Sequence, residues 1–260
     1  MAADLEARIW GVVGASGTGK GVWIKGQLAK LAPPRIVVWD FKNEYDAVAG
    51  KRMAPSLRDV RARMLAAGAD GPLRIRYAPV GAGEKALRRE FEALCELTYA
   101  WEHCVFVAEE LANVTTPGWA PAAWRKMTTS GRHAGVHIIG ATQTPALVDK
   151  TFLGNCTLIH AGPLREDMHR KAVARSMDID PGRLAALVKF QWIEKDFDSG
   201  EVTTGFTYPK GFKTAPSGSG ATGSATGDAS PSQAVDDGPK VAPSKPPRSR
   251  GKTPTGKERS

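Results

Sequence analysis

Seven residues near the start of the chain, Gly14, Ala15, Ser16, Gly17, Thr18, Gly19 and Lys20, have the composition and spacing of a phosphate cradle. Glycines let the backbone turn tightly, so that successive N–H groups and the start of a helix face one anion. The lysine closes the pattern G-x-x-x-x-G-K and stands where its ammonium reaches the terminal phosphates of a nucleotide. Gly21 follows, where this pattern has a Ser or Thr whose hydroxyl binds Mg²⁺. A water can take that coordination place, because Mg²⁺ keeps several waters. The flanks suit a cradle: Ile9–Val13 reads as a short buried strand, and Val22, Trp23, Ile24 and Leu28 share a helical face.

Two further segments carry polar groups with a chemical reading. Residues 104–108 (CVFVA) form an apolar strand that ends in Glu109 and Glu110. Adjacent carboxylates beside a low-dielectric core repel each other and resist ionisation, so their placement there calls for a reason. Beside a phosphate loop, Glu109 would hold Mg²⁺ through water, and Glu110 would orient or deprotonate the water that attacks the γ-phosphate. Taken without that loop, the pair is a strand running into an acidic turn. Residues 136–140 (VHIIG) form another strand, followed by Ala141, Thr142, Gln143, Thr144 and Pro145. The Gln143 amide either contacts the γ-phosphate or simply caps the strand.

The elements that must position these groups alternate between strand and helix. Residues 35–40 form a second strand that ends in a polar cluster of Asp40, Lys42, Asn43 and Glu44. Open α/β sheets hold ligands at the carboxyl ends of their strands, which sets this cluster beside the phosphate loop, although Lys42 and Glu44 read equally as a solvated turn. Residues 56–67 have helical spacing with Ser56 as N-cap and Gly68 at the end. Residues 73–77 (LRIRY) alternate apolar and basic, as a strand exposed on one face. Residues 84–101 form a long helix with Leu87, Phe91, Leu94, Cys95 and Thr98 on one side and Lys85, Arg88, Arg89 and Glu90 on a solvated one. Helices are expected from about 121 to 131, over 145–153 and over 165–177, with a strand at 156–160 between the last two. Asp180 and Pro181 start a short helix, and residues 190–194 and 202–206 flank a hairpin turn at 198–200.

Composition bounds the rest. At 260 residues and 42% hydrophobic, the chain is long enough for one large α/β domain, read here as residues 1–212. Residues 213–260 are Gly, Ser, Ala, Thr and Pro with almost no large apolar side chain, and a basic end. Such a segment cannot bury enough surface to offset its ordering entropy and is expected to be disordered. No run of eighteen apolar residues marks a membrane span, and the first residues lack the pattern of a signal peptide. The balance of 36 basic to 27 acidic residues, a net charge of +9, favours a polyanionic partner without naming one. Cys95, Cys104 and Cys156 lie in apolar segments without C-x-x-C spacing, as reduced core thiols do. His133 and His137 are four apart, but Gly135 and the following strand separate their faces.

The segment 130–145, SGRHAGVHIIGATQTP, resembles the GR-x-x-G-(I/V)-H … (A)TQ-x-P segment of the FtsK/HerA superfamily of DNA-pumping ATPases. Residues 105–113 (VFVAEELAN) are similar to the family's Walker B strand, and residues 37–45 (VVWDFKNEY) to its second strand. The resemblance covers about residues 8–162, and its small size is most like the compact viral genome-packaging ATPases. The related phage assembly ATPases similar to zonula occludens toxin usually add a transmembrane segment.

The resemblance implies a RecA-like P-loop NTPase fold of the ASCE kind, a mostly parallel α/β sheet with flanking helices, here followed by the β-hairpin. It implies ATP and Mg²⁺ as ligands. Residue by residue it places Lys20 on the β- and γ-phosphates, Glu109 near Mg²⁺, Glu110 as the base for the attacking water and Gln143 as the γ-phosphate sensor. Family members act as hexameric rings with sites between subunits, so an arginine, Arg132 first and Arg125 second, is expected to reach a neighbour's nucleotide. The implied activity is ATP-driven translocation of double-stranded DNA in phage genome packaging, in the host cytoplasm or on the virion, with vertex or assembly proteins as partners. A morphogenesis ATPase for extrusion and a nucleotide-binding scaffold without turnover are the alternatives. Two departures, Gly21 for the hydroxyl and Glu109 where Asp is commoner, bear on hydrolysis more than on binding.

Overall fold

The computed structural model describes residues 6–81 and 83–209. The tail expected to be disordered, residues 213–260, and the domain's end at residue 212 lie outside them. Eight strands form one sheet in the order β3-β2-β4-β5-β1-β6-β7-β8. In chain order the elements are β1 (Ile9–Val13), α1 (Lys20–Leu31), β2 (Arg35–Trp39), α2 (Asp46–Ala49), α3 (Leu57–Ala67), β3 (Leu73–Tyr77), α4 (Glu84–Trp101) and β4 (Val105–Ala108). There follow α5 (Ala122–Ser130), β5 (His137–Thr142), α6 (Lys150–Asn155), β6 (Leu158–Ala161), α7 (Asp167–Met177), α8 (Pro181–Ala185), β7 (Gln191–Asp196) and β8 (Val202–Phe206). Strands β1 to β6 are parallel, and β7 and β8 close the sheet as an antiparallel hairpin.

The apolar runs form strands buried on both faces because side chains alternate across a sheet. Ile9, Val13, Val37, Trp39, Phe106 and Ile138 point into one core layer, while Trp10, Val12, Ile36, Val38, Val107 and Ile139 point into the other. The second layer is covered by α1 through Trp23, Ile24 and Leu28. The first is thicker and takes α3 to α8. Its centre is a chain of rings, Trp39 to Phe91 to Trp124 to Phe152, with centroids 5.2, 5.4 and 5.3 Å apart. Gly140 on β5 makes room for this layer, since a Cβ there would lie 2.4 Å from Phe152 Cζ.

The cap at Ser56 holds, with its hydroxyl accepting from Asp59 N at 3.2 Å, and Asp180 caps α8 with Pro181 in its first turn. Three expectations change. Residues 145–153 do not form one helix: a 3-10 turn at Pro145–Leu147 is followed by a new start at Asp149, whose carboxylate accepts from Thr151 N and Phe152 N. The basic face of β3 is exposed at Arg74 but not at Arg76, which is only 4% exposed. Its guanidinium bonds Asp40 Oδ2 at 3.2 Å and the Gly50 and Lys51 carbonyls at 2.6 Å. A buried partner anion overrides the alternation rule that suggested solvent. The polar side of α4 is likewise not wholly solvated: Glu90 accepts from Tyr77 Oη at 2.7 Å and from Val80 N and Gly81 N.

Candidate nucleotide site

Strand β5 pairs with β1 on one side and β4 on the other, with Gly11 beside Gly140 and Ala108 beside Gly140. The phosphate loop, the acidic pair and Gln143 therefore leave adjacent parallel strands at the same end of the sheet, where such folds hold ligands. One cavity of about 340 Å³ lies there, lined by Ser16, Gly17, Gly19, Lys20, Gly21, Val22, Lys25, Lys42, Glu44, Glu109, Glu110, Ala141, Gln143, Phe190 and Pro209.

The loop has the backbone its glycines suggested. Gly19 is the N-cap of α1 with φ 104° and ψ 2°, a left-handed geometry that strains a side-chain-bearing residue. No side chain caps this helix, so its leading N–H groups are left for a ligand. The far side of the loop is anchored by Ala15 N on Pro163 O at 2.8 Å and by the Thr18 hydroxyl on Ala15 O at 2.8 Å. Lys20 Nζ donates to Gly14 O at 2.7 Å and Ala15 O at 3.0 Å. Burial lowers its pKa to about 8, while Glu110, Glu109 and Glu44 pull it up and Lys42 pushes it down.

The two acids have different surroundings. Glu109 is 7% exposed; its Oε1 accepts from the buried Tyr45 hydroxyl at 2.8 Å, and its Oε2 is buried without a partner. Burial raises its pKa, against the Tyr45 hydrogen bond, which lowers it. Glu110 has left-handed backbone, φ 52° and ψ 49°, unusual for a residue with a side chain and found mainly where surrounding structure enforces it. That turn sends its carboxylate between Lys42 Nζ at 2.5 Å and Gln143 Nε2 at 2.7 Å. Gln143 is thus neither a bare strand cap nor isolated; it donates to Glu110.

Lys42, Glu44 and Tyr45 are carried by the turn after β2, and Asp40 sets that turn. Fully buried, it accepts from Glu44 N at 2.8 Å and Tyr45 N at 3.1 Å while paired with Arg76. The polar cluster was visible in the sequence, but the ion pair that fixes it was not, because Asp40 and Arg76 are 36 residues apart. Tyr45 and Phe190 gave no signal at all: apolar-bodied residues at loop edges read as core.

The structure does not bring Arg132 to this cavity. It lies on a 3-10 turn, Gly131–Ala134, that precedes β5 and so sits at the opposite end of the sheet; it and Arg125 on α5 are exposed. The three cysteines are free and buried. Among the described residues no helix is long and apolar enough to cross a membrane, and no group of three or more His, Cys, Asp or Glu is arranged to hold a metal alone.

The site suits a triphosphate. The fold is similar to that of known proteins: the genome-packaging NTPase B204 of Sulfolobus turreted icosahedral virus 2, whose structure is a complex with AMPPCP, superposes with a TM-score of 0.60 at 18% identity, covering 76% of this chain and 97% of that one. The chain has the fold of a viral packaging NTPase. VirB4 of Thermoanaerobacter pseudethanolicus also superposes on this P-loop NTPase fold, at a TM-score of 0.57 and 12% identity, over 83% of this chain and 92% of VirB4. In sequence, Protein P9 of Pseudoalteromonas phage PM2 is 28% identical over 182 residues, covering 68% of this chain and 78% of P9. No family model matches the chain.

The donors present fit a divalent cation shared with phosphate oxygens. Glu109 Oε2 is a hard oxygen with no protein donor, and Mg²⁺ is commonly held by one or two carboxylates plus substrate phosphates. When bound, such an ion neutralises charge on the β- and γ-phosphate oxygens.

Proposed function

We propose that this chain is an ATPase of the FtsK/HerA kind that drives double-stranded DNA into a phage capsid. The observation that carries the reading is the meeting of Lys20, Glu109, Glu110 and Gln143 in one cavity across three adjacent strand ends. The likeness to a packaging NTPase and to a phage protein supports the choice of cargo.

In this mechanism the N–H groups at the start of α1 bind the phosphates, and Lys20 leaves the Gly14 and Ala15 carbonyls to sit on the β- and γ-phosphates. Glu109 holds the cation side of the triphosphate. Glu110 orients the attacking water and takes its proton once Lys42 lets go of its carboxylate. Gln143 then transmits the presence of the γ-phosphate through its bond to Glu110. Charge developing on the transferred group is met by an arginine from a neighbouring subunit of a ring, Arg132 or Arg125, neither of which reaches the site of its own chain. DNA is gripped by its phosphates, since a motor must pass every sequence and base readout would stall it.

The test is ATPase rate with and without duplex DNA, at low and high salt. DNA should stimulate turnover at low salt and lose that effect as counterions compete. Equal rates throughout would remove the translocase reading. Gly21 motivates a second reading, a nucleotide-dependent scaffold without turnover. It predicts that Lys20→Ala abolishes assembly and that Glu110→Gln has no effect.

A further inference from the structure

We propose that Glu44 holds the nucleotide's divalent cation, together with Glu109, in place of the hydroxyl that Gly21 lacks. The inference rests on the nucleotide reading of this cavity and adds a residue to it.

Gly21 is the second residue of α1, at the position where a phosphate loop of this spacing has its metal-binding Ser or Thr. A Cβ built on Gly21 would meet a single neighbour, Glu44 Oε2, at 3.7 Å. The carboxylate therefore stands over the place a hydroxyl would fill. It is put there by design of the turn: Asp40, fully buried and held by Arg76, accepts the Glu44 N–H at 2.8 Å and so fixes the backbone that carries it.

The carboxylate itself has no hydrogen bond or ion pair among the described residues, although Lys20, Lys25 and Lys42 line the same cavity. A buried group on the same cavity points to a ligand independently: Glu109 is more than nine-tenths buried and its Oε2 has no donor. Its other oxygen is taken by Tyr45, the residue next to Glu44, so one turn fixes both acids. Glu44 Oε2 beside Gly21 and the Glu109 carboxylate on the same cavity would form, with the oxygens of a triphosphate, a hard-oxygen set of the kind Mg²⁺ takes. Because Glu44 carries a charge where Ser or Thr would not, it also repels a metal-free triphosphate. Nucleotide binding by this chain is therefore more metal-dependent than a hydroxyl-bearing loop would make it.

The test uses the full chain and the non-hydrolysable analogue AMPPCP. Its affinity is measured by calorimetry with Mg²⁺ and with EDTA, and Mn²⁺ held in the nucleotide complex is counted by electron paramagnetic resonance. Wild type, Glu44→Gln, Gly21→Ser and the double variant are compared, with circular dichroism to confirm folding. Glu44→Gln should weaken Mn²⁺ binding about tenfold, in the range seen when groups that support a metal are removed, while affinity in EDTA holds or rises. Gly21→Ser in the Glu44→Gln background should restore most of the loss. Mn²⁺ binding by Glu44→Gln within twofold of wild type, or a loss that serine leaves uncorrected, overturns the assignment. Failure of wild type to bind AMPPCP at all would instead remove the nucleotide reading beneath it.

Discussion

Lys20 gives the nucleotide site a pH dependence of known sign. Burial lowers its pKa to about 8, and a bound triphosphate, which favours the ammonium, raises it again. Protonation and binding are therefore linked: affinity is at its full value below about pH 8 and falls above it, where the free loop must take up a proton to bind. With a pKa of about 8, roughly nine-tenths of the lysines are charged at pH 7 and roughly one-tenth at pH 9. Affinity should fall about tenfold over that span, or about 1.4 kcal/mol, provided the bound form titrates well above pH 9. The phosphates are already fully ionised through most of this range, so the slope belongs to the protein. Calorimetric titration with AMPPCP and Mg²⁺ from pH 7 to 9.5 measures it, and Lys20→Met is the control that should be both weak and flat. An unchanged wild-type affinity across the range would mean that Lys20 does not move from the loop carbonyls to the phosphates.

Two substitutions separate chemistry from architecture. Glu110→Gln keeps an acceptor for Lys42 and Gln143 but removes the base, so turnover should drop by roughly 10²- to 10⁴-fold with AMPPCP affinity nearly unchanged; steady-state ATPase beside calorimetry decides it, and retained turnover would assign the water to another group. Asp40→Ala leaves the Arg76 guanidinium buried without its anion and frees the N–H groups of Glu44 and Tyr45. Breaking such a pair costs about 3–5 kcal/mol, read as a shift in the urea midpoint. A loss below about 1 kcal/mol would show that the Gly50 and Lys51 carbonyls satisfy Arg76 by themselves.

The inner strands of the sheet were legible because they are buried on both faces. Five-residue apolar runs such as IWGVV and RIVVW leave little choice of conformation, and helix ends at Ser56 and Asp180 carry local capping chemistry. The order of the site motifs was legible for the same reason: each follows a strand, and in a parallel sheet strand ends coincide. What sequence could not show is how side chains choose partners across the sheet. Arg76 looked solvated because its neighbours alternate, and only the fold brings Asp40 to it. The break at Asp149 was hidden because residues 145–153 keep apolar spacing through a cap that interrupts the helix.

Several departures from local rule meet at this cavity. Gly19 and Glu110 have left-handed backbone, Glu109 is an acid buried with an unpartnered oxygen, and Glu44 stands unpaired among lysines. The backbone of Glu110 and the buried lone oxygen of Glu109 are unfavourable for folding alone, and all four residues lie around a single cavity. Strain and unsatisfied charge persist where a ligand or a reaction uses them. On the proposed function a triphosphate with its cation would answer all four together: the turn at Gly19 frees N–H groups for phosphate, the cation would meet the Glu109 and Glu44 carboxylates, and the turn at Glu110 would set a base for the attacking water. A site that only bound nucleotide would need Gly19, Glu109 and Glu44. On the proposed function it is Glu110, bonded to Lys42 and Gln143, that separates a motor from a scaffold, so turnover should be judged on Glu110 rather than Lys20.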